Sequence, residues 1–244
     1  EVVSEPKDQS SSSLPQNQSH AHDHDIPDSL ASRIDKFYDS FINADNQEKR
    51  IIFADSLAKC YKIVGKLDSL AKYTEVKAIE IPSIENFIIA GDGYYEAFNF
   101  AVDQSKKNLL AAKAQEYYKR VLDENSSLLD VKSKLAMTHI AGTNPMQGIT
   151  MLQEVIAIDP NNEMAIYNLG MLSITSGQYD KAIERFSRLV ELNGDSPEAN
   201  FYMGYCLFEL GRKDDSKSYF QKVTEIGISG DLVNASEDYL KKID

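Results

Sequence analysis

The chain has no run of 18 apolar residues, so no helix-length membrane span is written in it. It also lacks a phosphate-cradling glycine loop, an HExxH zinc motif, a CxxC pair and a nucleophile elbow. Without any of these, no Asp, Glu or His can be singled out as an acid, base or nucleophile. The expectation is a non-enzymatic protein with no cofactor. Cysteine is scarce. Cys60 and Cys206 each sit in an apolar helical pattern and read as buried free thiols rather than a disulfide framework. Positive charge is also short: 26 Lys and Arg against 38 Asp and Glu leave a net charge of −12 and a pI near 4.8. A surface of that sign opposes the phosphate backbone, so nucleic acid is excluded as the expected partner.

What remains is an ordinary globular composition, 42% hydrophobic over 244 residues, ample for a core. Residues 1–25 stand apart. Ser10 to Ser13, three Gln and two Pro dominate, with Val2, Val3 and Leu14 the large apolar residues. Such a stretch cannot offset its ordering entropy by burial, so a disordered Ser/Gln/His-rich tail or linker is expected there. His20, His22 and His24 alternate with Ala or Asp and are weak metal candidates. They have no supporting second shell, and no metal site is expected. The chain opens on Glu1, and a polar tail ahead of a folded unit is the layout that follows a leader or a membrane anchor. Attachment to a bacterial cell envelope through a preceding segment is one expectation; a cytoplasmic location is the other.

The strongest pattern runs from Asn162 to Ile226. Shifted by 34 residues it matches itself: Gly170 falls on Gly204, Gly177 on Gly211, Phe186 on Phe220 and Leu192 on Ile226. A period of that length marks stacked helix–turn–helix units, each burying its apolar face against its neighbours. The glycines have distinct tasks. Gly170 lets two helices touch closely, and Gly177 can take positive φ and end the first helix. Ala182 is small where the paired helix crosses, and Phe186 plugs the next unit.

Leu169-Gly170, Gly177, Tyr179, Ala182, Phe186 and the preceding Asp159-Pro160-Asn161-Asn162 resemble the tetratricopeptide repeat. The resemblance implies an all-α fold, a right-handed α-solenoid of about four to five antiparallel helix pairs with capping helices. The clearest units are 129–162, 163–196 and 197–230. Degenerate units are expected at 47–80 and 84–124 and a capping helix at 231–243, all within a helical domain at 26–244. Gly91 and Ala114 are 23 positions apart, against 12 for Gly170 and Ala182. That spacing predicts one long helix over about 84–106 and a partner from about 108 to 123, with Gly91-Asp92-Gly93 as a possible break.

In this family the first helix of each unit lines a concave face. Carrying those positions over gives Lys134, Met137 and Ile140, then Tyr167, Asn168, Met171 and Ile174, then Phe201, Tyr202, Tyr205 and Phe208. An aromatic and Met-rich stripe of this kind can anchor a peptide or helix. The same side chains could instead be covered by the C-terminal helix or a neighbouring unit. Some family members clamp the C-terminal carboxylate of heat-shock chaperones with paired Lys, Arg and Asn. Lys134 and Asn168 could serve there, but Glu198 and Tyr202 stand where further bases would be, so that clamp is incomplete. The implied function is a protein-interaction scaffold with a protein or peptide partner. The alternatives are homo-oligomerisation through the same surface and, behind it, weak metal binding by the tail. His139 reads as a packed core or groove histidine.

Overall fold

A computed structural model describes residues 26–142, 144–228 and 230–243. Among them twelve α-helices follow one another without a strand. They are α1 (Asp28–Ile42), α2 (Gln47–Ile63), α3 (Leu67–Glu80), α4 (Ile84–Phe100), α5 (Gln104–Glu124) and α6 (Leu129–Ile140). The rest are α7 (Pro145–Ile158), α8 (Glu163–Thr175), α9 (Tyr179–Leu192), α10 (Pro197–Glu209), α11 (Lys213–Ile226) and α12 (Gly230–Ile243). Each helix packs on the next, and α4 also touches α6, α6 touches α8, and α10 touches α12. The helices form hairpins α2–α3, α4–α5, α6–α7, α8–α9 and α10–α11, with α1 on one end and α12 on the other. The result is an all-α solenoid of helix pairs, as the period implies. His20, His22 and His24 lie outside the described residues.

Local sequence explains where the helices start. The side chains of Asn46, Ser83, Asp103, Asn162 and Ser196 each accept a hydrogen bond from the backbone N–H three residues on, satisfying a donor the helix leaves free. Pro145 and Pro197 open α7 and α10, where a missing N–H costs nothing. Three hairpins turn identically. Gly65, Gly177 and Gly211 take φ of 67°, 69° and 75°. In each, the residue after the glycine donates its N–H back to the carbonyl five residues earlier: Lys66 to Tyr61, Gln178 to Ser173 and Arg212 to Leu207. The turn of α2–α3 therefore has the same construction as those of α8–α9 and α10–α11.

The 34-residue period reappears as repeated contacts. Tyr167 meets Phe186 edge-on at 6.1 Å, and Phe201 meets Phe220 edge-on at 5.8 Å. A Cβ on Gly170 would lie 2.8 Å from the Phe186 ring, and one on Gly204 3.1 Å from the Phe220 ring. Gly91 repeats the arrangement against Tyr118, at 2.6 Å. Gly148 answers from the other helix of its pair: a Cβ there would sit 2.3 Å from the Ala136 carbonyl oxygen. Four buried clusters follow along the stack, with Leu57 and Tyr73 in one, Tyr118 and Val121 in the next, Leu152 and Val155 in the third, and Phe186 and Leu207 in the fourth.

The expected long helix over 84–106 ends early. α4 stops at Phe100, Ala101 is extended, and α5 starts at Gln104 because the Asp103 carboxylate caps Lys106 N–H at 2.7 Å. The extra residues go mainly into α5, which has 21 residues against 14 for α9. Gly91-Asp92-Gly93 does not break α4. Gly91 lies against Tyr118 of α5, and a Cβ on Gly93 would meet Thr74 and Ala71 of α3 at 2.6 and 3.2 Å. The helix is held on both sides, which offsets the ~1 kcal/mol cost of each helical glycine.

Candidate partner-binding face

The stripe positions group as follows. Lys134, Met137 and Ile140 lie on α6, Tyr167, Asn168, Met171 and Ile174 on α8, and Phe201, Tyr202, Tyr205 and Phe208 on α10. All are half-buried. The structure joins the aromatic members into one run. Tyr167 meets Tyr202 at 5.9 Å, Tyr202 stacks on Phe186 at 5.3 Å and meets Phe201 at 5.4 Å. Burial first, and then the hydrogen bond to Tyr202, push the Tyr167 phenol above its ordinary pKa. Tyr205 faces Tyr179 at 6.2 Å, and burial, reinforced by a hydrogen bond to Tyr179, pushes its phenol up to about 12. These rings are mutually braced, and a ring fixed before binding loses little rotamer entropy on contact with a partner.

The far end of the run has a neighbour. Tyr239 of α12 lies 6.2 Å from Phe201, 6.0 Å from Tyr205 and 5.0 Å from Phe208, and stacks on Phe220 at 4.9 Å. The C-terminal helix thus shares the α10 rings, as the covered alternative has it, yet leaves them half-exposed. Among the described residues no such helix lies at the α8 end. There Met164, Tyr167, Leu189 and Ala199 line a depression of about 320 Å³ whose lip holds Glu163 and Glu198. Both carboxylates are exposed.

Lys134 is already engaged. Its ammonium donates to Asp92 at 2.8 Å, and the Tyr118 hydroxyl donates to the same carboxylate oxygen at 2.8 Å. An ammonium held by Asp92 is not free to clamp a chain-terminal carboxylate. Met137 and Ile140 pack against the cluster around Leu152, whereas Tyr167, Met171 and Ile174 pack against the cluster around Phe186. His139 is buried, its Nε2 has no hydrogen-bond partner among the described residues, and desolvation with the nearby Lys119 charge lowers its pKa below 6.5.

Sequence reasoning missed a second polar cluster. Glu75 of α3 accepts hydrogen bonds from Tyr94 at 2.7 Å, Tyr117 at 2.8 Å and Lys113 at 2.9 Å. Desolvation alone would raise its pKa, but these bonds and the Lys113 charge outweigh it and leave the carboxyl below its usual range. The partners lie 19, 42 and 38 positions away, so no local pattern announces them. The cluster ties α3, α4 and α5 together and is a structural tie.

A family profile described as tetratricopeptide repeat matches residues 143–198 and 173–227. Among solved structures, the MamA protein is 20% identical with a TM-score of 0.53, covering 70% of this chain and 94% of that one. MamA of Desulfovibrio magneticus RS-1, residues 41 to the end, is 16% identical with a TM-score of 0.53, covering 74% and 97%. These likenesses show the fold. The BBSome complex member BBS4 homolog of Drosophila melanogaster is 23% identical over 120 residues, which is 49% of this chain. The chain matches about a quarter of that protein's length, 24%. Over residues 143–227 the profile match, the repeated Gly–Phe contacts and the stacked hairpins agree, and this segment carries tetratricopeptide repeats.

Proposed function

We propose that the chain is a non-enzymatic interaction scaffold that holds a partner polypeptide on the face formed by its first helices. The observation supporting this reading is the aromatic run from Tyr167 through Tyr202 to Phe208, which stays half-exposed with α12 in place. Exposed, pre-braced aromatic rings beside Met171 and Ile174 supply apolar area at low entropic cost. Lys134, Met137 and Asn168 extend the face towards α6, with Lys134 contributing its stem while its charge stays on Asp92. Glu163 and Glu198 at the lip favour a segment that carries Lys or Arg beside an apolar anchor, in keeping with the net charge of −12. The curated relative is by its name a member of a multi-protein complex, which agrees with a binding role. Units at 47–80 and 84–124 are part of the same proposal, as more weakly patterned repeats that lengthen the array.

The test is capture of partners from source-cell lysate on the immobilised full chain, with the wild type beside Tyr167→Ala combined with Met171→Ala, both verified as folded by circular dichroism. A protein retained by the wild type and lost by the double variant supports the reading. Equal retention by both contradicts it. Sedimentation equilibrium on the same samples separates the alternative: a dimer that the double substitution dissociates would make the face a self-contact.

A further inference from the structure

The side of α8 opposite Tyr167 carries a second groove. Leu169 is two residues on, about 200° around the helix. It forms a floor between α7 and α9, with Ile149, Gln153 and Ile156 on one wall and Arg185 on the other. Two contiguous depressions of about 310 and 400 Å³ share Gln153, Leu169 and Arg185. In an acidic protein this wall is basic: Lys181, Arg185 and Arg188 recur along α9 at the spacing of one helix face, with Glu184 the carboxylate among them.

The three cations are not equivalent. Lys181 donates to Gln178, and Arg188 donates to Glu191 and Asn161. Arg185 is half-buried, and its Nη1 donates to the Leu169 carbonyl at 3.1 Å and to the Ser173 hydroxyl. Among the described residues no carboxylate forms an ion pair with it. A guanidinium has five N–H donors, and these bonds occupy Nη1 alone, so the Nε and Nη2 edge stays uncommitted. Burying a charge without a counter-charge is costly. That edge has the geometry that receives both oxygens of a carboxylate.

We infer that the α7–α9 groove is a second docking site, for a partner segment that places an Asp or Glu on Arg185 and an aliphatic side chain on Ile149, Ile156 and Leu169. This site does not rest on the aromatic face and prefers the opposite charge in its partner. The two surfaces would let one chain bridge two polypeptides.

The test screens the full chain against a bead library of random nonapeptides and sequences what is retained. Wild type is compared with Arg185→Gln, which removes the charge, and with Gln153→Glu, an exposed wall position where an added carboxylate repels an acidic segment without touching the core. Tyr167→Ala serves as the control on the other face. The expected result is a peptide class with Asp or Glu beside Leu, Ile or Val, kept by Tyr167→Ala and weakened about tenfold or more by Arg185→Gln and by Gln153→Glu. No such class, equal retention by both groove variants, or loss with Tyr167→Ala instead would overturn the inference. If Arg185→Gln alone fails to fold, Gln153→Glu decides. The aromatic face is judged separately, by the lysate capture.

Discussion

Replacing Glu75 with Leu should be among the most damaging single changes in the first half of the array. The carboxylate serves three donors, and they respond differently to its loss. Lys113 is 39% exposed in its side chain and can turn to water. Tyr94 and Tyr117 are 8% and 2% exposed, so their hydroxyls would be left buried without an acceptor. An unsatisfied buried donor costs about 1–3 kcal/mol, so two cost roughly 4 kcal/mol together. That is a large share of a typical stability of about 5–15 kcal/mol. Glu75→Gln keeps an acceptor oxygen for one tyrosine, and the hydroxyl of the other can turn to accept from the new NH2, so it should cost less, about 1–2 kcal/mol. Equilibrium urea unfolding measures both. The decisive comparison is the triple change Glu75→Leu, Tyr94→Phe, Tyr117→Phe, which removes donors and acceptor together. It should recover most of the loss, since deleting both partners is close to neutral. A Glu75→Leu cost below about 1 kcal/mol, or a triple variant no better than the single one, would refute the reasoning. The pH dependence has a defined sign. The folded carboxyl lies below the ordinary 4.5, so its contribution is present above that value and is lost as pH falls through the folded pKa.

Other consequences are as direct. Gly170→Ala forces a methyl 2.8 Å from the Phe186 ring, which is fully buried and cannot yield, so thermal melting should show a net loss of about 1–2 kcal/mol despite alanine's better helix propensity. His139 is held neutral in the fold while the unfolded chain takes up a proton near 6.5; stability should therefore fall as pH drops below that value, and His139→Gln should flatten the slope of urea midpoint against pH. Cys206 is fully buried and burial pushes its thiol up to about 12, so Ellman's reagent should label it only after denaturant is added.

The repeat was legible because its determinants are local and recur. Gly170 and Gly204 are absent of side chain where Phe186 and Phe220 press in, and one spacing serves both pairs. The α4–α5 boundary was not legible from apolar periodicity, which runs on through Phe98 and Phe100. The stop comes from the Asp103 cap, which apolar periodicity does not register. The face residues could be placed on first helices from the repeat register. Their environment could not, because Tyr239 reaches Phe201 and Phe208 only once α12 is docked. Likewise Lys134 reads as a free base until Asp92, 42 positions earlier, is brought beside it. Arg185 stands in the sequence among Lys181, Glu184 and Arg188, with nothing local to set it apart. Its burial and its bond to the Leu169 carbonyl depend on how α9 leans on α8.

The most direct measurement of the central claim is site-specific photocrosslinking in source cells. A benzoyl-phenylalanine at Met171, on the aromatic face, would be compared with one at Lys36, an exposed residue of α1. The account predicts a discrete adduct of a second polypeptide from Met171 that Tyr167→Ala abolishes and that Lys36 does not give. No adduct at Met171, or one that survives Tyr167→Ala unchanged, would contradict it.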